Sequence, residues 1–324
     1  MRFRISLLIL FVVSGASAKD SFCEVLQKIP SMGTIFEIQL VRNCSDKDDK
    51  TLFLKIKKEL DEIESELTLY RIDSPLQQLN EKGVLLGSYP HLEFLLRKSL
   101  KANKDTGGAF DISIYPVLLM IQESFKKYKK PPSTEELDPL KKLVDVSSIS
   151  IEEKKISFAK IGMKLTFDGI GKGYAVDRVA SIAEAVGVKR YLLNFSGNMR
   201  WRGLRVDGKK WQLAMWNPVL QNTKSIDAGL AGAMASSGAE VNHYSEGLRW
   251  HHIIDPISLR PPMLWSQVTV VALGTKVTAM DCDVLSTATY ILNFKKMKSI
   301  LQVSYPLYRV WAVDLKGKMR LATP

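Results

Sequence analysis

The chain has 324 residues, 46% of them hydrophobic, and 46 Lys and Arg against 34 Asp and Glu give a formal charge of +12. That length and apolar share support one large domain or two intimately packed ones and exclude a disordered or low-complexity chain. The basic surplus fits solvated helix faces and also the steering of an anionic ligand; with no recognisable nucleic-acid-binding module, nucleic acid is not an expected partner.

The first eighteen residues, MRFRISLLILFVVSGASA, place Arg2 and Arg4 before an apolar run from Ile5 to Val13 and end on Ala16-Ser17-Ala18. This is the pattern of a secretory signal cleaved after Ala18, since the run is shorter than the roughly 20 apolar residues of a membrane span. An exported mature chain, 19–324, is therefore expected, and no later run reaches spanning length. Strand-like runs at 24–29 and 35–41 predict a hairpin turning near Met32-Gly33-Thr34. Its open end brings Cys23 opposite Cys44, where an oxidising compartment would allow a disulfide or leave two thiols; Cys282 makes the cysteine number odd.

Residues 46–70 carry Leu52, Ile56, Leu60, Ile63 and Leu67 at amphipathic-helix spacing. A second helix is predicted over 91–103, closing at Thr106-Gly107-Gly108. Pro131, Pro132 and Pro139 mark an exposed connection. Short strands follow at 147–151, 155–158 and 164–167, and then LTFDGIGKGYAVD opens a helix over 174–185, followed by a strand at 190–195. The last third alternates strands at 211–216, 250–254, 267–272 and 309–314 with a helix over 278–292. Without a regular βαβ rhythm, the expected class is α+β, with mixed or antiparallel sheets and packed helices.

The glycines around Lys172 suggest backbone approaching phosphate. A Walker loop fails because its glycine and Ser/Thr positions hold Thr166 and Gly173, and a dinucleotide fingerprint fails on its spacing, G-x-G-x-G. A glycine-rich corner with a lysine and a helix N-terminus remains, able to meet an anion or to be only a corner.

Separated blocks carry a specific resemblance. Met32-Gly33-Thr34, Tyr70-Arg71 with Ser74 and Asn80, Thr106 through Asp111 (TGGAFD), Ile170 through Asp177 (IGKGYAVD), His252 through Pro256 (HIIDP) and Cys282 through Thr287 (CDVLST) occur in this order. In these motifs the chain resembles the ApbE family, the FAD:protein FMN transferases. The resemblance implies an ApbE-like fold of two intimately associated subdomains over 19–324. It also implies transfer of FMN from FAD to a threonine of an acceptor protein, with AMP released, in the periplasm. The implied acceptor is the exposed domain of a membrane-associated redox protein, and the implied metal is Mg2+. Two alternatives stay open: a FAD pyrophosphatase giving FMN and AMP, and a non-catalytic periplasmic flavin-binding protein.

Asp283 and Thr287 are four apart in a predicted helix, so a carboxylate and a hydroxyl share one face as hard oxygen donors. The resemblance makes them metal ligands with the carbonyl of Gly169. Asp281 and Ser286 are nearby oxygens, whereas the Cys282 thiol suits packing better than magnesium. His252 titrates near neutrality and is the candidate general base; on a strand, neighbouring His251 would point the other way. For the flavin, the resemblance implies Met32, Tyr70, Ala109, Phe110, Asp111, Lys172 and the Ile254 backbone. Two departures fall in the glycine stretch: Thr166 stands where the family usually has an acid contacting the nucleotide, and Asp168 where it has a small residue.

Overall fold

The N-terminal hairpin forms as the alternation predicts. Strand β1 (Phe22–Ser31) pairs antiparallel with β2 (Thr34–Asn43), from Phe22 opposite Asn43 to Ser31 opposite Thr34. The structure, a computed structural model, describes residues 22–45, 48–240, 242–245 and 249–324, so the expected signal segment 1–18 lies outside the described residues. The two-residue turn has Met32 at φ 45° and Gly33 at φ 74°. Such turns favour Asn-Gly, and a methionine in the left-handed region costs energy that its surroundings must offset. Glu64 supplies that compensation, accepting from the Met32 N–H at 2.8 Å and from Ser31 Oγ at 3.0 Å.

At the open end Cys23 and Cys44 are disulfide-bonded, 21 positions apart, while Cys282 is free and buried. Closing a loop of that length removes chain entropy from the unfolded state, worth about 3 kcal/mol. Reduction, or Cys23→Ser, is expected to lower the urea-unfolding free energy by that amount.

Helix α1 (Asp49–Leu67) buries the five apolar residues named from its spacing. An unforeseen short helix follows, α2 (Pro75–Lys82), with Ser74 as its N-cap and Gly83 closing it in the left-handed region. Then come β3 (Val84–Leu86), α3 (Pro90–Asp105), α4 (Tyr115–Tyr128), α5 (Thr134–Leu137), β4 (Ile149–Glu152) and β5 (Lys155–Phe158). Helix α6 (Gly171–Ala185) precedes β6 (Tyr191–Phe195), β7 (Asn198–Arg202), β8 (Gln212–Asn217), β9 (Asn222–Asp227), β10 (Ala231–Gly238) and β11 (Trp265–Leu273). The chain finishes with α7 (Ala279–Ile291), α8 (Phe294–Ser304), β12 (Tyr308–Asp314) and β13 (Met319–Ala322).

All strand pairings are antiparallel. The main sheet runs β1-β2-β6-β7-β10-β11-β12-β13, beside a three-stranded sheet β3-β5-β4 and a hairpin β8-β9. The principal apolar core joins residues from Val25 to Ala322, with α1, α6 and α7 among the helices that line it. This is the α+β class expected.

Two predicted strands are not strands. Residues 164–167 join no sheet, because the Leu165 N–H donates to Asn80 Oδ1 (2.7 Å), the Leu165 carbonyl accepts from Asn80 Nδ2 (2.9 Å) and the Thr166 N–H donates to the Ile112 carbonyl. Residues 250–254 hold only the isolated bridges His243 to His251 and, just beyond, Asp255 to Arg260. Helix α6 also starts three residues earlier than predicted, taking Gly171 and Gly173 into its first turn.

Candidate functional site

Asn80 fixes the strap at Leu165, and the chain then turns through 168–170 into α6. The Asp168 N–H bonds Thr166 Oγ1 at 3.3 Å, and Gly171 N–H bonds the Phe167 carbonyl at 2.7 Å. Thr166 is buried while Asp168 is exposed, so the acid of this segment stands at the lip instead of inside. Lys172, in the first turn of α6, reaches back to the Asp168 carbonyl at 3.4 Å.

Helix α7 meets this turn from behind. Asp177 of α6 accepts from the N–H groups of Ala279 and Met280 (3.0 and 2.9 Å) and from Arg200 at 2.8 Å, so it caps a different helix from its own. Asp283, 6% exposed, accepts from the Gly173 N–H at 3.0 Å. Burial raises its carboxyl to about 6 even though Lys172 pulls the other way, leaving a costly charge for which a cation is the natural partner. One turn on, Thr287 lies against Gly169: a Cβ there would stand 3.0 Å from Thr287 Oγ1 and 3.1 Å from the Phe110 ring. Gly169, Phe110 and Thr287 therefore share one spot, with Asp283 one helical turn away. Among the described residues no three His, Cys, Asp or Glu side chains converge on a metal position. The donors expected from the sequence are instead one carboxylate, one hydroxyl and a backbone carbonyl, a set whose chemistry fits magnesium, an ion that keeps waters and takes phosphate oxygens. Asp281 is engaged by Tyr308 Oη at 2.9 Å, and Ser286 by Ser237 Oγ at 2.8 Å.

The two histidines separate. His251 is 1% exposed, its ring edge-on to Tyr290, with Nδ1 accepting from the Ile253 N–H and Nε2 facing the Pro262 carbonyl. Burial depresses it to about 4. Its folded value lies below the unfolded 6.5, so it contributes stability above pH 6.5 that is lost as pH falls toward 4, by up to about 3 kcal/mol. His251→Phe is expected to flatten the thermal midpoint against pH over that window.

His252 gives Nδ1–H to the Asn242 carbonyl at 2.9 Å, a bond that leaves Nε2 as the free acceptor. Burial lowers its pKa and favours the neutral ring, with the Asn242 carbonyl and the Asp168 charge pushing upward and the Lys172 charge downward.

A cleft of about 160 Å³ is lined by Met32, Gly33, Glu64, Tyr70, Asp168 and Lys172 among others. Tyr70 is 98% exposed, an open ring face at the mouth. Not every candidate joins it. Ala109 lines a second cleft with Thr106, Gly107, Gly108 and Asp255. The Asp111 carboxylate is taken up in capping a short 3-10 turn, accepting from the Ser113 N–H (2.8 Å) and Asn103 Nδ2 (3.2 Å). The Ile254 side chain packs with Val117, Leu118, Ile121 and Leu259, leaving only its backbone for a ligand.

Three residues escaped the sequence reading. Glu64 lies outside the apolar stripe read from the spacing of α1, yet it holds the Met32 turn. Tyr115 and Tyr244 are raised by burial first and also by the Asp168 charge, and Gln122 Nε2 donates to Tyr244 Oη at 3.3 Å. No spacing rule points to them.

Fold and cleft define an antiparallel α+β protein in which a helix-start lysine lies near a buried carboxylate and a hydroxyl. The ApbE family model matches residues 32–309, and the chain belongs to that family. It is 26% identical over 283 residues to the FAD:protein FMN transferase of Vibrio cholerae, covering 85% of this chain and 83% of that one. With the Escherichia coli FAD:protein FMN transferase it shares 27% over 285 residues, 84% and 79% of the two chains. Among solved structures, the Vibrio cholerae flavin transferase ApbE superposes with TM-score 0.78 at 25% identity, covering 93% and 97%. The Thermotoga maritima ApbE protein gives 0.76 at 22% identity, covering 92% and 97%, a likeness of fold.

Proposed function

We propose that this chain is a Mg2+-dependent FAD:protein FMN transferase. The observation that carries the proposal is the contact of Gly169 with Thr287, one helical turn from the buried Asp283 that bonds Gly173, the neighbour of Lys172. The threonine Oγ of the acceptor attacks the FMN phosphorus, the P–O bond to the bridging oxygen breaks, and AMP leaves with that oxygen. His252 Nε2 is placed in the role of taking the Oγ proton. Lys172 carries charge for the diphosphate, and Tyr70 offers a face to the isoalloxazine. Held by Asp283, Thr287 and the Gly169 carbonyl, Mg2+ would supply neutralisation of the phosphate charge.

We further propose export to the periplasm as one domain over 19–324, with a membrane-associated redox protein as acceptor; the disulfide supports an oxidising compartment. The test is incubation of the purified chain with FAD and Mg2+, with and without a threonine-bearing acceptor domain. Covalent flavin on the acceptor, lost on its Thr→Ala variant, is expected. Acceptor-independent FMN and AMP would favour the pyrophosphatase instead, and bound but intact FAD in both reactions would overturn both enzymatic readings.

A further inference from the structure

We propose that Asp168 makes binding of the flavin dinucleotide conditional on a divalent cation, an inference that rests on the function proposed above. Asp168 lines the cleft with Met32, Tyr70 and Lys172. Its position is set by the backbone: its N–H is tied to Thr166 Oγ1 at 3.3 Å, and the next residue, Gly169, abuts Thr287. Lys172 bonds the Asp168 carbonyl instead of its carboxylate, and among the described residues that carboxylate forms no ion pair. A diphosphate held by Lys172 in this cleft and by the Gly169–Thr287 corner would lie beside that carboxylate.

The charge balance then has a definite sign. Glu64 and Asp168 line the cleft against Lys172, and Asp283 lies behind the same turn, so the site repels a diphosphate until a divalent cation reverses the balance. An acid at the lip, with no salt-bridge partner among the described residues, weakens the nucleotide alone and favours the cation, which increases the coupling between the two ligands. By linkage, FAD must raise cation affinity by the factor by which the cation raises FAD affinity. One carboxylate beside a diphosphate, partly screened by solvent, is worth on the order of tenfold in affinity at low salt.

The test is FAD titration followed by flavin fluorescence, in EDTA and in Mg2+, with wild type and Asp168→Asn. The exposed position lets the variant fold, which a thermal melt checks. Wild type is expected to bind FAD far more tightly in Mg2+. In Asp168→Asn, affinity in EDTA should rise about tenfold while affinity in Mg2+ moves little, so the coupling shrinks by about that factor. An unchanged coupling overturns the proposal, as does equal weakening in both buffers, the mark of a direct flavin contact. Wild type that binds FAD equally with and without Mg2+ overturns this inference alone, whereas wild type that binds none overturns the proposed function with it.

Discussion

Asp283→Ala is expected to lower acceptor-dependent AMP release by at least about a thousandfold, roughly 4 kcal/mol of transition-state stabilisation. The carboxylate is the single acidic side chain in the proposed donor set, and a hydroxyl with a backbone carbonyl cannot by themselves compete with water for magnesium. Truncation also leaves the Gly173 N–H without its acceptor at 3.0 Å, a structural cost of about 1–3 kcal/mol that could reduce activity for another reason. Asp283→Asn separates the two effects. Its amide oxygen can still accept from Gly173, and it removes a charge that burial already disfavours, so its melting temperature should match wild type. Its Mg2+ affinity, read by calorimetry, should fall with its activity. Full turnover in either variant would remove Asp283 from the cation site.

What could be read from the sequence follows a physical division. Helix α1 was visible because its core contacts repeat at the helical period, and the hairpin because two alternating runs flank Met32-Gly33. The strap at 164–167 is not a strand because the same alternation serves a segment whose hydrogen bonds go to the Asn80 side chain, 85 residues from Leu165 in sequence, and to the Ile112 carbonyl. Residues 250–254 failed for a related reason: their apolar side chains are buried without a neighbouring strand, and the histidines there are positioned by carbonyls of Asn242 and Pro262. Asp177 of α6 caps α7, a partnership no local pattern encodes. The Asp283 and Thr287 face could be proposed from four-residue spacing; its meeting with Gly169 is a tertiary fact.

Gly173→Ala is expected to destabilise the protein by about 3 kcal/mol, against the helix propensity that favours alanine by about 1 kcal/mol. A Cβ at this position would stand 2.5 Å from the Ala279 carbonyl oxygen and 2.7 Å from the Met280 Cα. Both are backbone atoms at the start of α7, so no side-chain rotation relieves the overlap and α6 must move away. That movement strains the two bonds from Asp177 to α7 and the Gly173–Asp283 bond together. It also draws Lys172 away from the helix that bears Asp283 and Thr287, so turnover should fall in the fraction that remains folded. Gly171→Ala is the control, because its Cβ would meet Phe167 Cβ at 3.9 Å and Leu67 Cδ1 at 4.0 Å, ordinary contact. There the propensity gain is unopposed, and urea unfolding should show stability unchanged or raised by up to about 1 kcal/mol. Equal stability of the two variants would mean that the close approach of α6 to α7 does not constrain position 173.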